Sequence, residues 1–562
     1  MSRLFGIFLG AAILLPSSLQ AQAVASDNPT LVGAPAGYAA FVRLFEDWRR
    51  YVEPPTKDYL PDYGTAAMQR KAAELPVFRQ RLKAIDRSGW PISADNDYRL
   101  LEAEMNGADF NFRILMPWAR DPTFYANVFA DWSDVPLHEG PYAQPHIDLY
   151  KLKYPLGAAD QAKLTAMLGA VPEMLAAARS NLKNSNAKDL WTYGDRAFKE
   201  QSAALAALEA GTLVMRTLDG PTPATMTGAR PALLKAIRDA RLATDDFAKW
   251  VSAEAPSKTG QVGVGKENYD WYVKNVELLP YNWQDQEVLL RRELERSIAA
   301  LREEEVRNRA LPPITPIDDP VAYRKMAEAK AEKFSKFIVD TGLVPDRPYI
   351  RSAVEGQTGT YVPPDKRNFF SHITALDPLP LVSHAIHWVD LARLRAEPHA
   401  SPIRRAPALF SIYANRSEGY ATAFEEIAMR AGLYDDIPHG RELVWIALAN
   451  RAARGLASLY VQSGEMDLAQ AGKFHAEWTP RGWSDPDSPL VGFEQLLYAR
   501  QPGYGPSYVT GKLQLDRLLA NASHQAEQAG RPFLMSDVLA RTYAAGILPW
   551  ALLDREVNNI AQ

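Results

Sequence analysis

The stretch Gln284-Asp285-Gln286-Glu287-Val288-Leu289-Leu290-Arg291-Arg292-Glu293-Leu294-Glu295-Arg296-Ser297-Ile298-Ala299-Ala300-Leu301, continuing to Arg309, decides the fold class. Leu290, Leu294, Ile298 and Leu301 recur at steps of four, four and three, and Arg and Glu fill the other side. That period is an amphipathic helix. Similar apolar ridges run from Ala158 to Arg179, Asp195 to Leu218, Pro320 to Val339 and Arg441 to Val461, whereas strand-like alternation is scarce. Pro and Gly gather between these segments, as in Gly220-Pro221-Thr222-Pro223, Leu311-Pro312-Pro313 and Tyr361-Val362-Pro363-Pro364, and read as helix-ending loops. The chain is mainly α. No repeat of fixed period and no clear linker divides it, apart from a candidate division near Pro312 to Pro316.

The 562 residues are 47% hydrophobic and 23% charged, enough apolar surface to bury one large or two moderate cores. Lys plus Arg is 63 and Asp plus Glu is 67, a formal net charge of -4. That balance argues against a nucleic-acid partner, and a small molecule is the expected one. The chain has no cysteine, which removes disulfides, thiolate metal sites and Cys nucleophiles.

The N-terminus reads Met1-Ser2-Arg3, an apolar run from Leu4 to Leu15, Pro16, small polar residues and Ala21-Gln22-Ala23. This is the pattern of a secretory signal peptide over residues 1–23, and the run is too short to span a bilayer. A periplasmic or secreted mature chain, residues 24–562, is therefore expected, with no stable membrane insertion after cleavage. Without a cysteine it cannot carry a bacterial lipid anchor.

The C-terminal third carries the phrases Glu418-Gly419-Tyr420-Ala421 with Glu425, Gly432-Leu433-Tyr434, Arg451 with Arg454, Pro502-Gly503 leading to Tyr508 and Gly511, and Gly546 with Pro549. They resemble the bacterial domain-of-unknown-function family 885, whose members look like helical zinc metallopeptidases of the gluzincin type. The resemblance is strongest over residues 265–554. It implies a single zincin-like domain with a central cleft, covered by an N-terminal helical layer.

The phrase that holds metal in that family is His-Glu-x-x-Pro-Gly-His, and here it is degenerate. In an ungapped alignment Leu381-Val382-Ser383-His384-Ala385-Ile386-His387-Trp388 occupies it. Leu381 then replaces the first ligand, Val382 the general base, and only His387 matches. A three-residue deletion would make His384 the first ligand, with Ala385 in place of the base. Ser458 and Gln462 replace a downstream Asp and His, and Leu539-Ala540 stands where many members have His-Asp. A catalytic zinc needs three protein ligands and a carboxylate to take a proton from water.

Taken at face value, this loss implies an enzyme without metal or cofactor. Glu418, His384, His387 and Tyr508 would then carry acid/base chemistry of a lyase type on a small organic molecule, an aromatic one being compatible with the many aromatic phrases, with Arg451, Arg454 and Glu425 binding it. His384 and His387, at i and i+3, would share a helix face. Tyr508 would project from a stiff Pro-Gly loop, and one of the two arginines would pair with Glu418 or a neighbour. Phrases such as Tyr269-Asp270-Trp271-Tyr272 could line the cleft. Two rival readings stand. One is a zinc-dependent peptidase or amidohydrolase with His384, His387 and Glu418 on the ion; the other is a non-catalytic binding protein. His138-Glu139 with His146 imitates a metal motif, but Pro141 and Pro145 deny it a regular helix.

Overall fold

Asn282 begins the Gln284–Arg309 segment with a capping box: its side chain accepts the Asp285 N–H, and the Asp285 carboxylate accepts the Asn282 N–H. The helix runs Trp283–Asn308 and buries Leu290, Leu294 and Leu301, as the period requires. The computed structural model describes residues 35–133 and 144–560. The signal segment and the His138-Glu139 pair lie outside them. From Pro35 onward the chain forms one compact unit, mainly helical, with three two-stranded β pairs among the described residues.

Helices Ala158–Asn181, Pro320–Asp340 and Gly440–Gln462 follow the predicted ridges within a residue or two at each end. The segment from Asp195 differs. Its helix stops at Ala210, where Gly211 takes a left-handed φ of 68°. The chain then turns into an antiparallel hairpin, Val214–Thr217 paired with Gly220–Pro223. Met215 and Thr217 are buried while Val214 and Arg216 are exposed, a period of two that three residues of apparent helical ridge concealed.

In the N-terminal half, helices Ala158–Asn181, Asp195–Ala210 and Pro231–Glu254 pack through Leu164, Leu168, Leu205, Ile237 and Phe247. In the C-terminal half two helices are nearly all buried: Ala414–Arg430, hereafter the glutamate helix, and Gly440–Gln462, the arginine helix. A third, Tyr504–Gln528, the tyrosine helix, crosses both. The crossings are made by glycines. A Cβ on Gly419 would stand 2.3 Å from the Gly511 Cα, and one on Gly505 would stand 2.5 Å from the Ser458 Cβ. The three backbones touch, so Glu418, Ser458 and Tyr504 are drawn together. No helix among the described residues is long and apolar enough to cross a membrane.

Candidate active site

Two short helices carry the histidines. Leu379–His384 ends at Ala385, and Ile386–Ala396 begins immediately after it. The break at Ala385 (ψ 11°) replaces the single helix face expected from the i, i+3 spacing. It re-aims the two imidazoles, whose rings meet edge to face at 4.9 Å. A bidentate ion pair, Arg416 to Asp390 at 3.0 and 3.3 Å, joins the second short helix to the glutamate helix. Both partners are buried. Asp390 lies one turn beyond His387 and Arg416 two residues before Glu418, so this clamp sets the distance between them.

The result is convergence. His384 Nε2 lies 3.5 Å from Glu418 Oε2, His387 Nε2 lies 3.3 Å from the same oxygen, and the three ligand atoms fall within 4.8 Å of one another. Neither His387 Nε2 nor Glu418 Oε2 has a well-formed hydrogen bond, although both are buried. Buried polar atoms left this way are costly. The other Glu418 oxygen accepts from Tyr504 at 2.5 Å.

The second ring nitrogen of His384 is held as well. Nδ1 sits 2.9 Å from Glu425 Oε1, and Arg451 grips Glu425 through both oxygens at 2.6 and 2.7 Å. Glu425 is fully buried and lies off the cavity wall, so it orients His384 instead of meeting a substrate directly. Arg451 therefore pairs with Glu425, and Arg454 with Glu494. Of the two, Arg451 thus pairs with a neighbour of Glu418 on the glutamate helix, and neither pairs with Glu418 itself. Burial alone would raise Glu418, but His384 and His387 hold its carboxyl well below the usual range. Burial and Arg451 push His384 down, and the facing carboxylates of Glu418 and Glu425 outweigh them, leaving it raised.

Tyr508 is in the first turns of the tyrosine helix, not in a loop; the Pro-Gly segment only starts that helix, at Gly503 with φ 85°. Its ring stacks beside His384 at 6.4 Å, and the Arg454 guanidinium lies 4.3 Å over it. Burial, then the charge on Glu418, raises the phenol well above its ordinary pKa, so it is a hydrogen-bond donor at neutral pH.

His384, Glu418, Arg451, Arg454 and Tyr508 line a cavity of about 450 Å³. Sequence reasoning missed Arg216, Phe370, Trp388, Glu494 and Tyr498, which also line it. Only Trp388 carried a signal, its place beside His387. Arg216 reaches the wall from the N-terminal hairpin, the part of the N-terminal half that contributes to it. Tyr269 and Tyr272, expected in the cleft, are instead buried core.

The donor set fits a divalent cation. Tetrahedral bonds of about 2.0–2.1 Å place neighbouring ligand atoms roughly 3.3 Å apart; the two imidazole-to-Glu418 separations are 3.3 and 3.5 Å, and all three ligand atoms lie within 4.8 Å of one another. Glu425 supplies the carboxylate that commonly fixes a ligating imidazole.

Comparison with known proteins gives a partial family match and a fold. Residues 48–308 match the family described as "bacterial protein of unknown function (DUF885)". That match overlaps residues 265–308 of the resembling region and ends before the site residues, which lie downstream. Two solved structures are similar throughout. A candidate lipoprotein of unknown function from Shewanella oneidensis has a TM-score of 0.61 at 13% identity, covering 92% of this chain and 98% of that one. A candidate lipoprotein from Colwellia psychrerythraea also reaches 0.61, at 15% identity, covering 89% and 92%. No curated protein sequence matches the chain.

Proposed function

We propose that this protein is an exported hydrolase of amide or ester bonds in small molecules, with a divalent cation, zinc by its ligand chemistry, held by His384, His387 and Glu418. The observation that carries this reading is the convergence of His384 Nε2, His387 Nε2 and Glu418 Oε2 within 4.8 Å of one another, the last two buried without a well-formed hydrogen bond. Sequence alone favours a metal-free reaction, because the family's phrase is broken at Leu381 and Val382. Convergence of three ligands from two helical segments and the glutamate helix supports the ion instead. When bound, such a cation polarises a carbonyl oxygen and lowers the pKa of water to about 7.

The chain's own groups divide the remaining work. Glu425, backed by Arg451, keeps the His384 proton on Nδ1 and its Nε2 free. The Tyr508 hydroxyl, on the cavity wall, donates to an oxygen of the substrate on which charge develops. Glu494 is the carboxylate on the wall nearest to the role of proton acceptor, since Ala385 and Val382 leave none in the family's position. Export rests on the Leu4 to Leu15 run and its Ala21-Gln22-Ala23 site.

Metal analysis of protein purified without chelator or affinity metal tests the proposal. About one zinc per chain is expected, falling to background in His387→Ala and Glu418→Gln. Metal-free wild type that remains folded and active would overturn it, and would leave the acid/base lyase as the reading of the same residues. Turnover that survives both Glu418→Gln and Tyr508→Phe would show the assigned site to be wrong.

A further inference from the structure

Arg216 stands where two cavities meet. Arg216, Phe493 and Leu497 line the cavity over the histidines and also a second cavity of about 550 Å³. The second is walled by Val128, Phe129, Ala204, Ala207, Leu213 and Leu496. Charged residues on its wall are paired: Arg196 bonds Glu200, also on the wall, at 2.7 Å, and Arg500 bonds Asp121 at 2.6 Å. The Gln201 amide is spent on the Asn127 and Val128 N–H groups and on Thr244. What faces the space is therefore largely apolar.

Arg216 itself differs from these. Its side chain is exposed, with no ion pair or side-chain hydrogen bond among the described residues, and it lies over the Trp388 ring at 5.3 Å. Asp131, on the same wall, accepts the Arg216 backbone N–H at 2.7 Å. The hairpin fixes the backbone and Trp388 supports the guanidinium, leaving its donor fork open for a planar anion. Trp388 follows His387 directly, so the cation is anchored beside the proposed reaction centre.

We infer that the substrate is an amphiphilic carboxylate, with its carboxylate on Arg216 and its apolar group in the second cavity. The inference rests on the cavity being the active site but not on the metal. Calorimetric titration of the full mature protein with 4-phenylbutyrate, butyrate and 4-phenylbutanol tests it, because none of the three has a bond to cleave. Phenylbutyrate should bind at least about tenfold tighter than either of the others, since each lacks one of the two contacts. Arg216→Gln should erase the advantage over phenylbutanol, and Ala204→Trp the advantage over butyrate; both positions tolerate substitution without touching the core. In His387→Ala, which the proposed function strips of its ion, phenylbutyrate binding should persist. Equal binding of all three probes, no binding, or a preference untouched by Arg216→Gln would overturn the inference. Binding lost in His387→Ala but intact in Arg216→Gln would place the carboxylate on the metal, refuting this assignment while sustaining the hydrolase. Absence of metal with the Arg216 dependence intact would do the reverse.

Discussion

Gly419→Ala sets two opposite effects against each other. Gly419 lies inside the glutamate helix, where Ala is intrinsically better than Gly by about 1 kcal/mol. If the helix crossing could yield freely, the substitution would stabilise the protein. The crossing is rigid, however. The new Cβ would stand 2.3 Å from the Gly511 Cα, 2.5 Å from its carbonyl carbon and 2.8 Å from the Lys512 nitrogen, all backbone, whereas ordinary contact begins near 3.4 Å. The two helices would have to part by about an ångström along their length. Overpacking of this kind costs about 1–3 kcal/mol, and a backbone-on-backbone clash belongs at the upper end. Against the propensity gain the net loss is roughly 2 kcal/mol, or a Tm lower by roughly 2 °C in a unit of this size. Because Glu418 precedes Gly419 and is held at 2.5 Å by Tyr504 from the other helix, metal occupancy should fall with it. Differential scanning calorimetry and metal analysis of Gly419→Ala, Gly511→Ala and the double variant check this. The double variant should cost less than the two singles together, since helices already parted accept the second methyl more easily. A Gly419→Ala protein that melts at or above the wild-type temperature and keeps its metal would refute the reasoning.

Other consequences are simpler to measure. Arg451→Met leaves the fully buried Glu425 carboxylate without its bidentate partner and should cost about 3–5 kcal/mol in denaturant unfolding; the Arg451→Met/Glu425→Gln double variant should recover part of it. Burial would raise Glu426, but Arg296, Lys512 and Arg430 hold its folded pKa at about 2. Its stabilisation, roughly 3 kcal/mol, is therefore present above the unfolded carboxyl value and lost as pH falls from about 4.5 towards 2. Acid unfolding of Glu426→Gln should show a shallower pH dependence in that window. Intact-mass analysis of exported protein should find Val24 as the first residue, and an N-terminus that retains Met1 would sink the signal-peptide reading.

The ridge Leu290, Leu294, Ile298, Leu301 and its counterparts were legible because a period of 3.6 is a local property of the chain. The Asp195 to Leu218 segment was misread for the same reason: a hairpin strand of four residues is too short for its period of two to stand out. Site residues were legible singly and not in combination. Glu418, His384 and Tyr508 do line one cavity, with His387 buried against Glu418, but Glu425 lies off its wall and Arg454 serves Glu494. Tyr504, one turn before Tyr508, was overlooked although it holds Glu418.

By itself the sequence determined a mainly helical chain without cysteines, since composition and period need no neighbours in space. Tertiary structure alone decided that His384 and His387 share the Glu418 carboxylate. That depends on the helix break at Ala385, the Arg416–Asp390 clamp and the Gly419–Gly511 contact, each a relation between segments distant or differently oriented in space. The same holds for Arg216, which is brought beside Trp388 across more than a hundred and seventy residues. Ligand geometry is a property of three-dimensional distance, and a motif records it only where the ligands happen to lie on one uninterrupted helix.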